Sequence, residues 1–172
     1  MKSHVPIDSV ISGGDLRELI IDSTVARAKQ EHELLSEELR EIYEQACTIR
    51  RGQDAKRLNR EIRQLGDSVK HFLKHWTAHT QWEDDELFPS AASVLGAEPD
   101  LFSLMEHEYE LAEQYIQAFT QLLEKAAAPI DQEEARKMTT YLIQAYAVLS
   151  NRFREEEEIM LELTDRSNAY GF

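Results

Sequence analysis

An all-α fold, an antiparallel up-down four-helix bundle, is predicted by three features of this chain. Its 172 residues include only 6 Gly and 4 Pro, too few to punctuate a strand-rich architecture. Nearly all of these breakers fall between long segments, and within the segments apolar side chains recur at steps of three and four, the period of a helix. Four such segments joined by short connections pack as antiparallel neighbours.

The elements follow in order. Residues 1–14 read as a leader, and Asp15 offers an N-cap for a first helix that runs to about Arg51, before Gly52 breaks it. A second helix begins near Asp54 and is expected to end ahead of Pro89. Residues 89–99 (PSAASVLGAEP) read as a loop with one short helical turn. The third helix starts at Pro99 or Asp100 and stops before Pro129. Asp131 with Glu134 three residues later has the form of a capping box opening the fourth helix. That helix is expected to fade after Leu163, leaving 164–172 as a tail and 15–163 as a single domain.

Composition narrows the function. A formal charge of -14, with 33 acidic against 19 basic residues, would repel nucleic acid and anionic membrane alike. The single Cys47 cannot form an internal disulfide and reads as a small core filler. No apolar N-terminal run resembles a signal sequence, so a cytoplasmic protein is expected. No stretch approaches the roughly 20 apolar residues that span a bilayer.

Periodicity then selects the polar residues that face inward. The stripe of the first helix is Val25, Ala28, His32, Leu35, Leu39, Ile42, Ala46, Ile49, with His32 in an otherwise apolar seam. The second gives Leu58, Ile62, Leu65, Val69, Phe72, Trp76, His79, Glu83, with His71 and His75 falling beside it, half-exposed. The third reads Leu104, His107, Leu111, Tyr115, Ala118, Leu122. The fourth reads Met138, Tyr141, Ala145, Val148, then Asn151 or Arg152, then Glu155 and Ile159, with Glu156 to Glu158 expected mostly to face solvent.

The inward polar residues form a duplicated plan. Glu31-His32-Glu33 precedes His79-x-x-x-Glu83, and Glu106-His107-Glu108 precedes Asn151-x-x-x-Glu155. Residues four apart share one helix face. Buried imidazoles and carboxylates without partners are costly, and a shared cation would satisfy all of them at once. The candidate ligands are therefore His32, His79, Glu83, His107 and Glu155, with Asn151 close by. No Ser, Cys or Lys nucleophile is paired with a positioned His, so no catalytic residue is assigned.

These residues resemble the hemerythrin-like, or HHE cation-binding, family over most of the chain. The resemblance is carried by His32, by His79 with Glu83 in HTQWEDDELFP, by His107 in MEHEYE and by NRFREEEEIML, where setting Glu158-Ile-Met-Leu161 against the ELFP ending places Asn151 opposite His79 and Glu155 opposite Glu83. It implies a four-helix bundle with a di-iron centre, Glu83 and Glu155 bridging, His32 and His107 serving the two sides and His79 completing one of them. Asn151 stands where the family has a His, and an amide oxygen is a weaker ligand for iron. Di-iron with an open position, a single iron, and loss of metal all stay open. In this family such sites bind O2 or NO for sensing, storage or stress response, and a compact chain of this kind resembles bacterial members. The competing expectation is a metal-free helical interaction protein with a vestigial site, its acidic surface docking a basic partner; a homodimer is a further expectation.

Overall fold

In the computed structural model, which describes residues 13–95 and 99–170, every long periodic segment is helical. Helix α1 spans Gly13–Arg51, α2 Ala55–Trp82, α3 Phe88–Leu95, α4 Pro99–Lys125 and α5 Gln132–Tyr170, with a π-helical turn at Glu83–Leu87 between α2 and α3. The two longest, α1 and α5, have 39 residues each, about 58 Å at 1.5 Å per residue.

Local chemistry sets several of these ends. Asp54 caps α2 by accepting the Lys56 N–H at 3.0 Å. The capping box is present: Asp131 Oδ1 accepts the Glu134 N–H at 2.8 Å and Glu134 Oε2 accepts the Asp131 N–H at 3.4 Å. Arg50 Nη1 donates to Arg136 O at 2.9 Å and to Thr140 Oγ1 at 2.8 Å, tying the end of α1 to the start of α5. Asn59 both accepts from and donates to the Ile130 backbone, so the α4–α5 connection rests on the first turns of α2.

Packing closes a ring in which α1 touches α2 and α5, and α4 touches α5 and α2. The four-helix bundle predicted from the sequence is thus formed by α1, α2, α4 and α5, while the short α3 lies against α5. Gly66 marks a close approach, since a Cβ there would sit 2.4 Å from Leu123 Cδ2. No described helix is long and apolar enough to cross a membrane.

Three boundaries differ from expectation. Helical backbone continues past Pro89, which is the second residue of α3; it follows directly on a turn where the i→i−4 ladder is already re-registered, so its missing N–H removes little. Helix α5 runs to Tyr170 instead of fading after Leu163, and Asp15 lies within α1 rather than capping it. Of the leader expected at 1–14, residues 1–12 fall outside the described residues, as do the last two residues of the tail, and Gly13 and Gly14 belong to α1.

The inward faces divide into two pairs. All eight stripe residues of the first helix and all eight of the second are buried. In α4 the buried row is instead Met105, Ala112, Ile116, Phe119, and in α5 it is Met138, Leu142, Ala145, Leu149 and Glu156. The α4 row is displaced by one residue from most of the expected row, whereas in α5 Met138, Ala145 and Ile159 are buried as expected and Leu142, Leu149 and Glu156 take the places of Tyr141, Val148 and Glu155. The buried side chains separate into a large apolar cluster containing Leu35, Phe72, Trp76 and Phe153, and a smaller one containing Val25, Ala28, Trp82 and Ile159. Between them lies a belt of buried polar groups.

Candidate metal centre

The belt is built by residues from four elements. His32 comes from α1, His79 from the last turn of α2, Glu83 from the π turn and Glu156 from α5; none is more than 3% exposed. Each offers one ligand atom, and the four atoms lie within 4.8 Å of one another. His79 Nε2 is 2.5 Å from Glu83 Oε1 and 3.8 Å from Glu156 Oε2, and His32 Nε2 touches Glu156 Oε2 directly. The His79 and Glu83 pair is a consequence of i,i+4 spacing, whereas His32 and Glu156 reach it only because α1 packs on both α2 and α5.

Neighbouring groups orient the cluster. Glu31 Oε2 lies 2.7 Å from His79 Nδ1, so the other ring nitrogen faces inward. Arg152 is buried beside the two carboxylates: its Nε donates to Glu156 Oε1 at 3.0 Å, its Nη2 to Glu83 Oε2 at 3.5 Å and its Nη1 to the Met105 carbonyl at 2.7 Å. Its guanidinium carbon lies 5.4 Å from the Trp76 ring and 5.4 Å from the Tyr109 ring, contacts that suit a planar, weakly hydrated cation.

The electrostatics record mutual dependence. Burial would depress the His79 imidazole, but the hydrogen bonds with Glu156, Glu83 and Glu31 and the charge of Glu83 outweigh it and raise its pKa to about 10. Burial and the nearby charge of Glu156 raise Glu83 to about 8. Glu156 moves the other way, well below the usual carboxylate range: burial opposes this, and hydrogen bonding from His32, His79 and Glu83 dominates. Among the buried side-chain atoms, His32 Nε2, His79 Nε2, Glu83 Oε1 and Glu156 Oε2 lack hydrogen bonds of good geometry. Two imidazole nitrogens and two carboxylate oxygens converging in a dry interior are a donor set for a cation, and the residues present fit one.

Of the six positions expected from sequence, the structure brings together three: His32, His79 and Glu83. His107 and Asn151 are exposed and Glu155 is half-buried. Asn151 Nδ2 donates to Glu155 Oε1 at 3.1 Å and to Glu108 Oε1 at 3.4 Å, forming an outer polar link between α4 and α5. Glu156 and Arg152 stand in their place inside. The π turn supplies the physical reason: it inserts an extra residue after Glu83, so a gapless comparison of ELFP with Glu158-Ile-Met-Leu161 overshoots by one position on α5, which is α-helical throughout. A signal for Glu156 did exist, since Leu142, Leu149, Glu156 and Leu163 recur every seven residues and all are buried. The periodicity admits Arg152 as the alternative to Asn151, whereas Glu31 carries no such mark.

A cleft of about 900 Å³ between α1 and α5 is lined by His32, Tyr146, Phe153 and Met160 among others, and so connects the edge of the cluster with the surface. The sequence model of the hemerythrin HHE cation-binding domain matches residues 21–164, a span that contains every residue of the cluster. No curated protein and no solved structure shows a significant match to the chain.

Proposed function

Since the chain belongs to the hemerythrin HHE cation-binding family, we propose that it is a non-haem iron protein whose His32, His79, Glu83 and Glu156 hold one cation. The observation that carries this reading is the convergence of their four ligand atoms within 4.8 Å in a buried belt. When bound, iron supplies a Lewis-acidic, redox-active centre suited to a diatomic ligand such as O2 or NO.

The chain's own groups shape that centre. Glu83 and Glu156 provide the anionic charge, while Glu31 fixes the ring of His79. Arg152 occupies the position next to both carboxylates and supplies positive charge there permanently. With His107 and Asn151 at the surface, the donors for a second iron are missing where the guanidinium lies, which favours a mononuclear site over a di-iron one. The cleft at His32 offers a small ligand a route inward, and the apolar clusters on either side exclude bulk water. Sensing, storage or a stress response in the cytoplasm is the role consistent with this chemistry.

Metal analysis of the full chain purified from iron-supplied cells tests the reading. About one iron per chain is expected, with an absorption change on exposure to NO. Two irons would remove Arg152 from the role given to it. No iron would favour a metal-free interaction protein, in which Arg152 and the protonated His79 offset the carboxylate charge unaided.

A further inference from the structure

A second convergence of ligand groups lies on the α1–α2 face, outside the buried belt. His71 and His75 are spaced i,i+4 on α2, their ring centroids 4.7 Å apart, and Glu38 faces them from α1. Glu38 Oε1 is 2.7 Å from His75 Nδ1 and 3.7 Å from His71 Nε2. One ligand atom from each residue lies within 4.8 Å of the others. The second carboxylate oxygen, Glu38 Oε2, is buried without a hydrogen-bond partner.

We propose that Glu38, His71 and His75 form a peripheral site for a divalent transition-metal ion of the Zn2+ class. Two imidazoles and a carboxylate select such ions over Mg2+ or Ca2+, which prefer all-oxygen surroundings. Three protein donors leave a coordination position for water, as in open rather than structural zinc sites. The exposure of the donors falls from 67% at the His71 side chain to 39% at His75 and 15% at Glu38, so the ion would meet the imidazoles from solvent and the carboxylate at the base. Glu38 is held by a buried face of α1 between Leu35 and Leu39, which limits the side-chain freedom lost on binding.

The site shares no ligand with the buried cluster. His75 stands one turn from His79, about 6 Å along the helix axis, and its partner Glu38 lies about two turns along α1 from Glu31. The net charge of -14 raises the local concentration of cations around such a surface. Because the three donors are preassembled whether or not iron occupies the interior, the inference stands independently of the proposed function.

Zn2+ titration of the full-length protein, with the histidine imidazoles followed by NMR, tests it. The His71 and His75 resonances are expected to shift together while the exposed His107 stays still. His71→Ala, His75→Ala and Glu38→Gln, measured by competition with a chromophoric chelator, should each weaken this Zn2+ by about tenfold or more and leave iron content unchanged. Exposed His71 can be removed without disturbing the core, and the wild-type NMR result needs no variant. Equal shifts at His107, Zn2+ confined to His32 and His79, or variants that match wild-type stoichiometry and affinity would each overturn the proposal.

Discussion

Glu31 on α1 reaches across to His79 on α2, its carboxylate oxygen 2.7 Å from Nδ1, while the same side chain receives Arg27 at 3.2 Å one turn earlier. The imidazole is therefore held from behind by a residue that itself touches no inner ligand atom. Glu31→Gln should lower iron affinity by about 10–100-fold with the helical content unchanged. Equilibrium binding of Fe2+ under anaerobic conditions checks this, and an affinity equal to wild type would remove Glu31 from the site.

The register of α5 yields a paired test. Glu156→Gln should abolish stoichiometric iron, whereas Glu155→Gln and His107→Ala should retain it, because only the first side chain faces the belt. Asn151→His should likewise leave iron content as it is. Metal analysis of the four variants decides, and a gain of iron in Asn151→His would mean that α5 is rotated by one residue in solution.

Arg152 is the counter-charge of the buried Glu83 and Glu156 carboxyl pair, of which Glu156 is the anionic member at neutral pH. Replacing it with Met leaves Glu83 and Glu156 facing each other with less compensation, and removing one partner from a buried pair costs about 3–5 kcal/mol. The metal-free Arg152→Met protein should show that loss in urea denaturation. Added divalent cation should restore much of it, since binding to the native state alone is stabilising. A variant as stable as wild type without metal would show that the guanidinium is not needed for charge balance.

Proton competition sets a pH dependence. In the metal-free cluster His79 keeps its proton up to about pH 10 and Glu83 up to about pH 8, and a cation must displace whatever proton its ligand atom carries. Raising the pH removes the competitor, so affinity climbs with pH, by about one to two decades per unit over roughly pH 6 to 8. Above about pH 8 the Glu83 proton is gone while that of His79 remains to be displaced, and the slope should fall. Isothermal titrations with Fe2+ under anaerobic conditions, on the His71→Ala protein and in buffers of different ionisation enthalpy, would count the protons released. Flat affinity across this range, with no proton release, would show that these ligands are already free of protons or do not bind.

Much of this was legible from residue order alone. On α2, and less strictly on α1, the larger apolar residues recur along one stripe, and His32, His79 and Glu83 fall on it. Helices α4 and α5 carry apolar residues in adjacent pairs, such as Leu111-Ala112, Tyr115-Ile116, Tyr141-Leu142 and Val148-Leu149. Neighbours differ by about 100° around the axis, so such pairs widen the apolar arc and admit two registers. Steps of three and four do not rank those two, and on α5 the seven-residue recurrence of Leu142, Leu149, Glu156 and Leu163 is the mark of the register found.

What the order of residues determined by itself was the helical class, the four long rods, the Asp131 capping box, family membership and three of the four candidate inner ligands. These depend on local period, capping chemistry and i,i+4 spacing, all properties of a single helix. The tertiary structure alone decided that Glu156 and Arg152 face inward while Glu155, Asn151 and His107 do not. It also decided that Glu31 backs His79 and that Glu38 meets His71 and His75. Those outcomes follow from a one-residue π insertion and from how neighbouring helices rotate against one another, quantities fixed by the packing of side chains far apart in the chain.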